Sequence, residues 1–214
     1  MNKDFVLLQL LSSKICHDLV NPVAALRFSM DMIKDSEEEN AEAIDIATAS
    51  VDSLVRRLEY FRYAFGATNL PAGDSGFLKL KELVSGLFKE KDVKIDWAAF
   101  DEDSLSVLKS DNLKLIMNIF FIIFNAVHKT AHIKFLVAKV ASQKVGVGLS
   151  IKGANVKLGI DNIQALKLEV SPSDLTPRNV QSYFTARMAE KLEAQLEVRD
   201  NMQEEIQFAF VLRD

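Results

Sequence analysis

Cys16-His17-Asp18-Leu19-Val20-Asn21-Pro22 lies within a segment whose large apolar residues recur as Leu8, Leu11, Ile15, Leu19, Leu26, Met30 and Ile33. Steps of three, four or seven residues mark one face of an α-helix. At about 100° per residue, Ile15 and Leu19 fall near the centre of that stripe and His17 roughly opposite. Its side of the helix is shared with Ser13, Lys14, Asn21 and Ala24, which are small or polar. A histidine placed there is not needed for packing, and its imidazole is available for chemistry. The pattern predicts a long amphipathic helix that displays His17 to solvent.

Pro22 sits inside this stripe. A proline in a helix interior removes a backbone N–H and crowds the preceding turn, at a cost of roughly 3 kcal/mol. The missing bond frees the carbonyl of Asp18, next to the histidine. A kink there would open a groove one turn beyond the imidazole. The alternative is that the first helix stops at Asn21 and Pro22 begins another. The apolar stripe continues in phase across the proline, which favours one helix.

Ser36-Glu37-Glu38-Glu39 suits the start of a second helix, as a cap and against the helix dipole. Ile44, Ala47, Val51, Leu54, Leu58, Phe61 and Phe65 then alternate steps of three and four, the seam of a helical bundle. The connection between the two helices is short, so they should form an antiparallel hairpin. One hairpin cannot cover its own apolar surface, but two from two chains can, as a four-helix bundle. Residues 1–66 are therefore expected to be a homodimerising hairpin.

Gly66, Asn69, Pro71, Gly73 and Gly76 mark a break, after which the pattern becomes mixed. Residues 77–90 and 111–130 read as helices, the second very apolar. Residues 92–97, and more briefly 104–109, read as strands, and 132–141 with 144–152 as a β-hairpin. Residues 155–160 read as another strand, about 177–192 as a helix, and 194–199 and 205–213 as two closing strands. The fold class is α+β, with residues 77–214 forming a helical layer on an antiparallel-rich sheet.

The 214 residues suffice for one or two domains with a core. A net charge of -4 argues against nucleic acid as a partner. The single cysteine, Cys16, excludes an internal disulfide, fits a reducing compartment and reads as a small apolar residue at the stripe's edge. Met1-Asn2-Lys3-Asp4 lacks the layout of a secretion signal. The apolar run 113–127 is interrupted by Lys114 and Asn118 and is too short to cross a bilayer. The expectation is a cytoplasmic protein with no membrane segment.

His17-Asp18-Leu19-Val20-Asn21-Pro22 resembles the H-box of sensor histidine kinases: a phosphorylated histidine, an acid at +1, an amide at +4 and a proline at +5. Leu113 to Thr130, ending Asn125-Ala126-Val127-His128-Lys129-Thr130, is similar to the N-box helix of their ATPase domain, and Arg178 to Val198 to its last helix and strand. The glycine-rich elements of such kinases are absent. No aspartate precedes a glycine pair after residue 100, and Val145-Gly146-Val147-Gly148 reads as strand rather than phosphate cradle. Asn125 could match the magnesium-binding asparagine, but four residues earlier, where another asparagine is usual, stands Phe121. A kinase-like dimer without its ATP site resembles a histidine phosphotransferase of the ChpT type, known from alphaproteobacterial cell-cycle phosphorelays.

That resemblance implies a degenerate ATPase-like α/β sandwich behind a dimeric hairpin. It implies that a phosphoryl group reaches His17 from the receiver domain of a hybrid histidine kinase and leaves to response-regulator receiver domains. No cofactor is expected on this chain, since Mg²⁺ would sit on the receiver. The candidate catalytic residues are His17 as nucleophile, Asp18 to orient its ring, and Lys14 and Asn21, one turn away on either side, to meet phosphoryl oxygens. His128 and His132 lack companions for a zinc site. Arg178 and Arg187 are surface cations that could touch a receiver or form salt bridges. Two other functions fit the same residues: an active kinase with an unrecognised nucleotide site, and a non-catalytic dimeric adaptor for response regulators.

Overall fold

Heptad spacing over the first two segments produces two long helices that pack on each other, α1 (Lys3–Asp35) and α2 (Asn40–Ala64). The computed structural model describes residues 3–35, 40–100, 102–105, 108–128, 130–141, 144–154, 156–201 and 205–213. The expected cap at Ser36-Glu37-Glu38-Glu39 lies outside them. Helix α1 runs through Pro22 without a break, so the two-helix alternative does not hold. Small residues let the helices approach: Ser29, Ala43, Ser50 and Ser53 are buried along the hairpin. The hydroxyls of Ser29 and Ser50 are satisfied within their own helices, by the carbonyls of Leu26 (2.8 Å) and Ile46 (2.7 Å).

After a linker come α3 (Gly73–Phe88), β1 (Val93–Phe100), α4 (Glu102–Leu105), α5 (Ser110–Ala126), β2 (Ala131–Ala141), β3 (Lys144–Gly153), α6 (Ile160–Leu166), α7 (Val180–Lys191), β4 (Glu197–Asp200) and β5 (Glu205–Arg213). The sheet order is β1-β2-β3-β5-β4, with β1 and β2 parallel and every other pair antiparallel. Period-two alternation buries Ile133, Phe135, Val137, Val147, Leu149, Phe208 and Phe210 on one face. Helices α3, α5 and α7 cover that face. Helix α5 is buried nearly all round, as its predominantly apolar sequence requires. Trp97, Phe120 and Phe135 cluster where α5 meets the sheet, with ring centroids 5.3–5.8 Å apart.

Three expectations are corrected. Residues 104–109 do not supply the expected strand: among the described ones, Ser104 and Leu105 lie in the short helix α4, and Leu105 and Leu108 are both buried. Of residues 155–160, the described ones, 156–160, are not a strand either. Val156 and Leu158 are buried in alternation but join no ladder, and α6 follows. Helix α3 starts at Gly73 rather than at 77. Its Gly76 is required by close approach, because a Cβ there would stand 1.9 Å from the Pro71 carbonyl oxygen and 2.6 Å from Leu113 Cδ1.

The core does not stop at the glycine-rich linker. Tyr60, Phe61 and Ala64, at the end of α2, are buried against α5. Rings of Phe61 and Phe65 meet Phe121 edge-on at 5.1 and 6.0 Å. The Tyr60 hydroxyl donates to the Met117 carbonyl at 2.5 Å, and burial pushes its pKa up. The amide of the fully buried Asn118 donates to the carbonyls of Ala64 (3.1 Å) and Lys114 (2.8 Å). The hairpin and the α/β layer are thus locked together at the C-terminal end of α2.

Candidate functional site

The side chain of His17 is 77% exposed, as its place opposite the apolar stripe requires. Its Nδ1 lies 3.4 Å from Asp18 Oδ1, long for a hydrogen bond but within reach of one that tightens on binding. Asp18 is itself only 9% exposed. Lys14 does not stand free beside the imidazole, contrary to the sequence expectation. Its ammonium donates to both Asp18 carboxylate oxygens, at 2.7 and 2.5 Å, and lies 5.5 Å from the centre of the Phe121 ring. The lysine side chain is 15% exposed, so its charge is spent on fixing Asp18 rather than on reaching outward. Asn21 is exposed one turn from His17, and Ala24 is exposed on the same side.

The Asp18 carbonyl freed by Pro22 has a partner that the sequence did not disclose. Arg57 Nη1, from α2, donates to it at 3.1 Å. The same guanidinium is paired with Glu90, donates through Nε to Ser53 Oγ at 3.4 Å, and lies 5.3 Å from the centre of the Phe124 ring. Lys91 completes this corner, its ammonium donating to the carbonyls of Phe124 and Val127, both at 2.5 Å, with its pKa lowered by burial. In an antiparallel hairpin residue 57 falls across from residue 18, and an orphaned carbonyl must find a donor. Substituting Arg57→Met should cost about 1–3 kcal/mol, because the Asp18 carbonyl and Glu90 lose their partner. Adding Pro22→Ala restores an N–H for that carbonyl. It should recover about 1 kcal/mol more in the Arg57→Met background than in the wild type, measured as a double-mutant cycle by urea unfolding. Additive effects would contradict the Arg57–Asp18 link.

From Asn21 and Pro22 a groove of about 720 Å³ runs between α1 and α2 to Lys89 and Glu90. It opens one turn beyond the histidine. Ala25, Ala49, Ser50 and Ser53 give it a floor of small side chains. Cys16 is exposed rather than packed at the stripe's edge. His132 lies in β2, and Arg187 pairs with Glu190 in α7, a surface salt bridge. His128, Asn125 and Arg178 instead gather around a second, smaller cavity. Asn125 donates to the Phe121 carbonyl at 3.0 Å.

The chain resembles known proteins over most of its length. The chain is 20% identical over 182 residues to the protein phosphotransferase ChpT of Brucella abortus (strain 2308), covering 85% of this chain and 84% of the relative. A solved bacterial phosphotransferase superposes with a TM-score of 0.79 at 18% identity, covering 95% of each chain. The histidine kinase domain of the Erythrobacter litoralis EL346 blue-light activated kinase superposes with a TM-score of 0.50 at 13% identity, covering 92% of this chain and 93% of that one. The fold is therefore shared with both. Among the described residues, no helix is long and apolar enough to cross a membrane. The profile of the histidine phosphotransferase C-terminal domain matches residues 77–204, more than half of the chain, and the protein belongs to that family.

Proposed function

We propose that His17 is the phosphoryl carrier of this two-component phosphorelay phosphotransferase. It takes the group from the receiver aspartate of a hybrid histidine kinase and passes it to the receivers of response regulators. The observation that carries this reading is an imidazole 77% exposed on a helix turn whose backbone is pinned by Arg57 and whose neighbouring carboxylate is pinned by Lys14. Asp18 accepts a hydrogen bond from the Nδ1–H, which keeps the proton on that nitrogen and leaves the Nε2 lone pair free to attack. The Nε2–P bond forms as the aspartyl O–P bond breaks. The leaving group is the receiver's carboxylate, and the imidazolium charge that develops is met by Asp18. Positioning and charge neutralisation supply most of the catalysis in such a transfer. Mg²⁺ belongs to the receiver's carboxylates and needs no ligand from this chain. Asn21 hydrogen-bonds a phosphoryl oxygen at the mouth of the groove, and Ala24 leaves room for a partner helix. A cytoplasmic location follows from these partners.

The kinase alternative lacks support in the residues around α5. Phe121 occupies a ring cluster where a nucleotide site would need polar groups. Labelled ATP alone should leave the protein unlabelled, and autophosphorylation would overturn this reading.

We further propose that the protein acts as a homodimer. Val20, Val23 and Phe28 on α1 and Ile44, Val51, Val55 and Leu58 on α2 are exposed in a single chain. A seam of that length on one hairpin needs a partner surface. Light scattering at micromolar concentration should give twice the chain mass, and the Val51→Glu/Leu58→Glu double variant should give a monomer. A wild-type monomer would contradict the bundle.

A further inference from the structure

Helices α3, α5 and α7 cover one face of the sheet. On the other, the outward side chains of β2, β3 and β5 are exposed or half-buried. The centre of this open face is apolar. Leu136 and Val140 of β2 are 46% and 57% exposed, and Ala209 and Val211 of β5 stand on the far side of β3 from that strand. Between the two rows, on β3, lie Gly146 and Gly148. The result is a trough with two recesses, of about 410 and 350 Å³, that share Leu136, Gly148 and Ala209.

Nothing within the chain requires those glycines. A glycine inside a strand weakens it, and marks a bulge, a bend or a close approach. Neither has a positive φ, and β3 keeps its register with β2 and β5 past both. A Cβ at Gly148 would meet nothing closer than 3.8 Å, and one at Gly146 only the exposed Val140 side chain at 3.0 Å. The close approach they permit therefore comes from outside the chain.

We propose that this trough docks one amphipathic helix of a partner protein, with carboxylates flanking its apolar stripe. The walls stand two strand spacings apart, about 9.6 Å, close to the ~10 Å diameter of a helix with its side chains. Outward positions along β3 repeat every ~6.8 Å, and residues one helical turn apart every ~6 Å, so successive large side chains fill successive recesses. A second sheet would bring several parallel ridges where the trough accepts one, and a bilayer cannot fill a recess one strand wide. Charge selects the sign of the partner. Lys94, Lys134 and Lys144 face outward with no acidic partner among the described residues. Glu205 and Glu197 are met by Lys152 and Arg199, and Asp96 has a partner of its own. The unmatched charge on this face is thus positive, on a chain whose net charge is -4. Like charges disfavour a second copy of the same face, and an acidic helix complements it. The trough faces away from α5 and the hairpin, so a helix seated there leaves His17 clear for a receiver.

Titration of the full chain with a stapled helix of about 18 residues, leucines at i, i+4, i+7 and i+11 and glutamates beside them, tests this against the same helix with lysine in place of glutamate. The glutamate helix should bind at least about tenfold more tightly, with amide shifts confined to β2, β3 and β5. Gly148→Val should weaken it by about tenfold or more while the melting temperature holds or rises, since valine suits a strand and its Cβ has room. Leu136→Ser, at an exposed position, should weaken it likewise, and Lys134→Glu should narrow the preference between the two helices. No binding of the glutamate helix, equal binding of both, or undiminished binding by Gly148→Val would overturn the proposal. Sedimentation with phosphatidylserine vesicles that Gly148→Val abolishes would overturn it in favour of a bilayer. A Val51→Glu/Leu58→Glu variant that stays dimeric until Gly148→Val is added would overturn it in favour of a second copy.

Discussion

His17→Ala is expected to lose at least about 10³-fold in the rate of phosphoryl acceptance from a phosphorylated receiver, while its unfolding free energy stays within about 0.5 kcal/mol of the wild type. The first half follows from chemistry: with the ring gone, the phosphoryl group loses its imidazole acceptor. The second follows from geometry, since the ring is 77% exposed and its one polar contact is the 3.4 Å approach to Asp18. The two readouts belong together. A loss of transfer accompanied by a loss of stability would leave a structural role open, whereas transfer lost from an equally stable protein assigns the chemistry to the imidazole. Stopped-flow or quench-flow transfer with urea unfolding on the same preparation measures both.

Phe121→Ala should be the most destabilising single truncation near the site. The ring is fully buried and meets Tyr60, Phe61, Phe65 and Phe124 at centroid distances of 5.1–6.3 Å, with the Lys14 ammonium 5.5 Å away. Deleting a buried phenyl group costs about 3–5 kcal/mol through lost transfer energy and the cavity it leaves. At roughly 2–4 °C per kcal/mol for a chain of this size, the melting temperature should fall by about 10 °C. Phe121 is the hub through which the hairpin packs on the α/β layer, so the variant should also loosen Lys14 and raise amide exchange in the turn around Asp18. Its role explains a departure from the kinase pattern. The position that would carry a polar residue beside a nucleotide has become the contact that joins the two parts of the chain.

The long helices were legible because their apolar periods extend over many turns, and β2, β3 and β5 because alternation persisted for eight residues or more. Two short elements were not. A pair of buried leucines at 105 and 108, or of Val156 and Leu158, fits a strand and a helical turn equally well until the rest of the fold decides. His17 could be read from its position alone. Lys14 was assigned outward because only its distance from the histidine was weighed. Its i,i+4 spacing to Asp18 was the stronger signal, and that pair forms. Arg57 and the Asn118–Gln181 hydrogen bond were hidden for a different reason. Both satisfy backbone or side-chain groups across elements far apart in sequence, 39 residues for Arg57 and 63 for Gln181. A polar residue within an apolar helix looks like an interruption until its partners are known.

The central claim is tested most directly by mixing the wild-type protein with a pre-phosphorylated receiver domain and Mg²⁺, without ATP, and following the label. Acid-labile, base-stable phosphate should appear on the chain, map to His17, and chase onto a second, unphosphorylated receiver. A chain that takes up no label, or takes it up as well after His17→Ala, would contradict the phosphotransfer account.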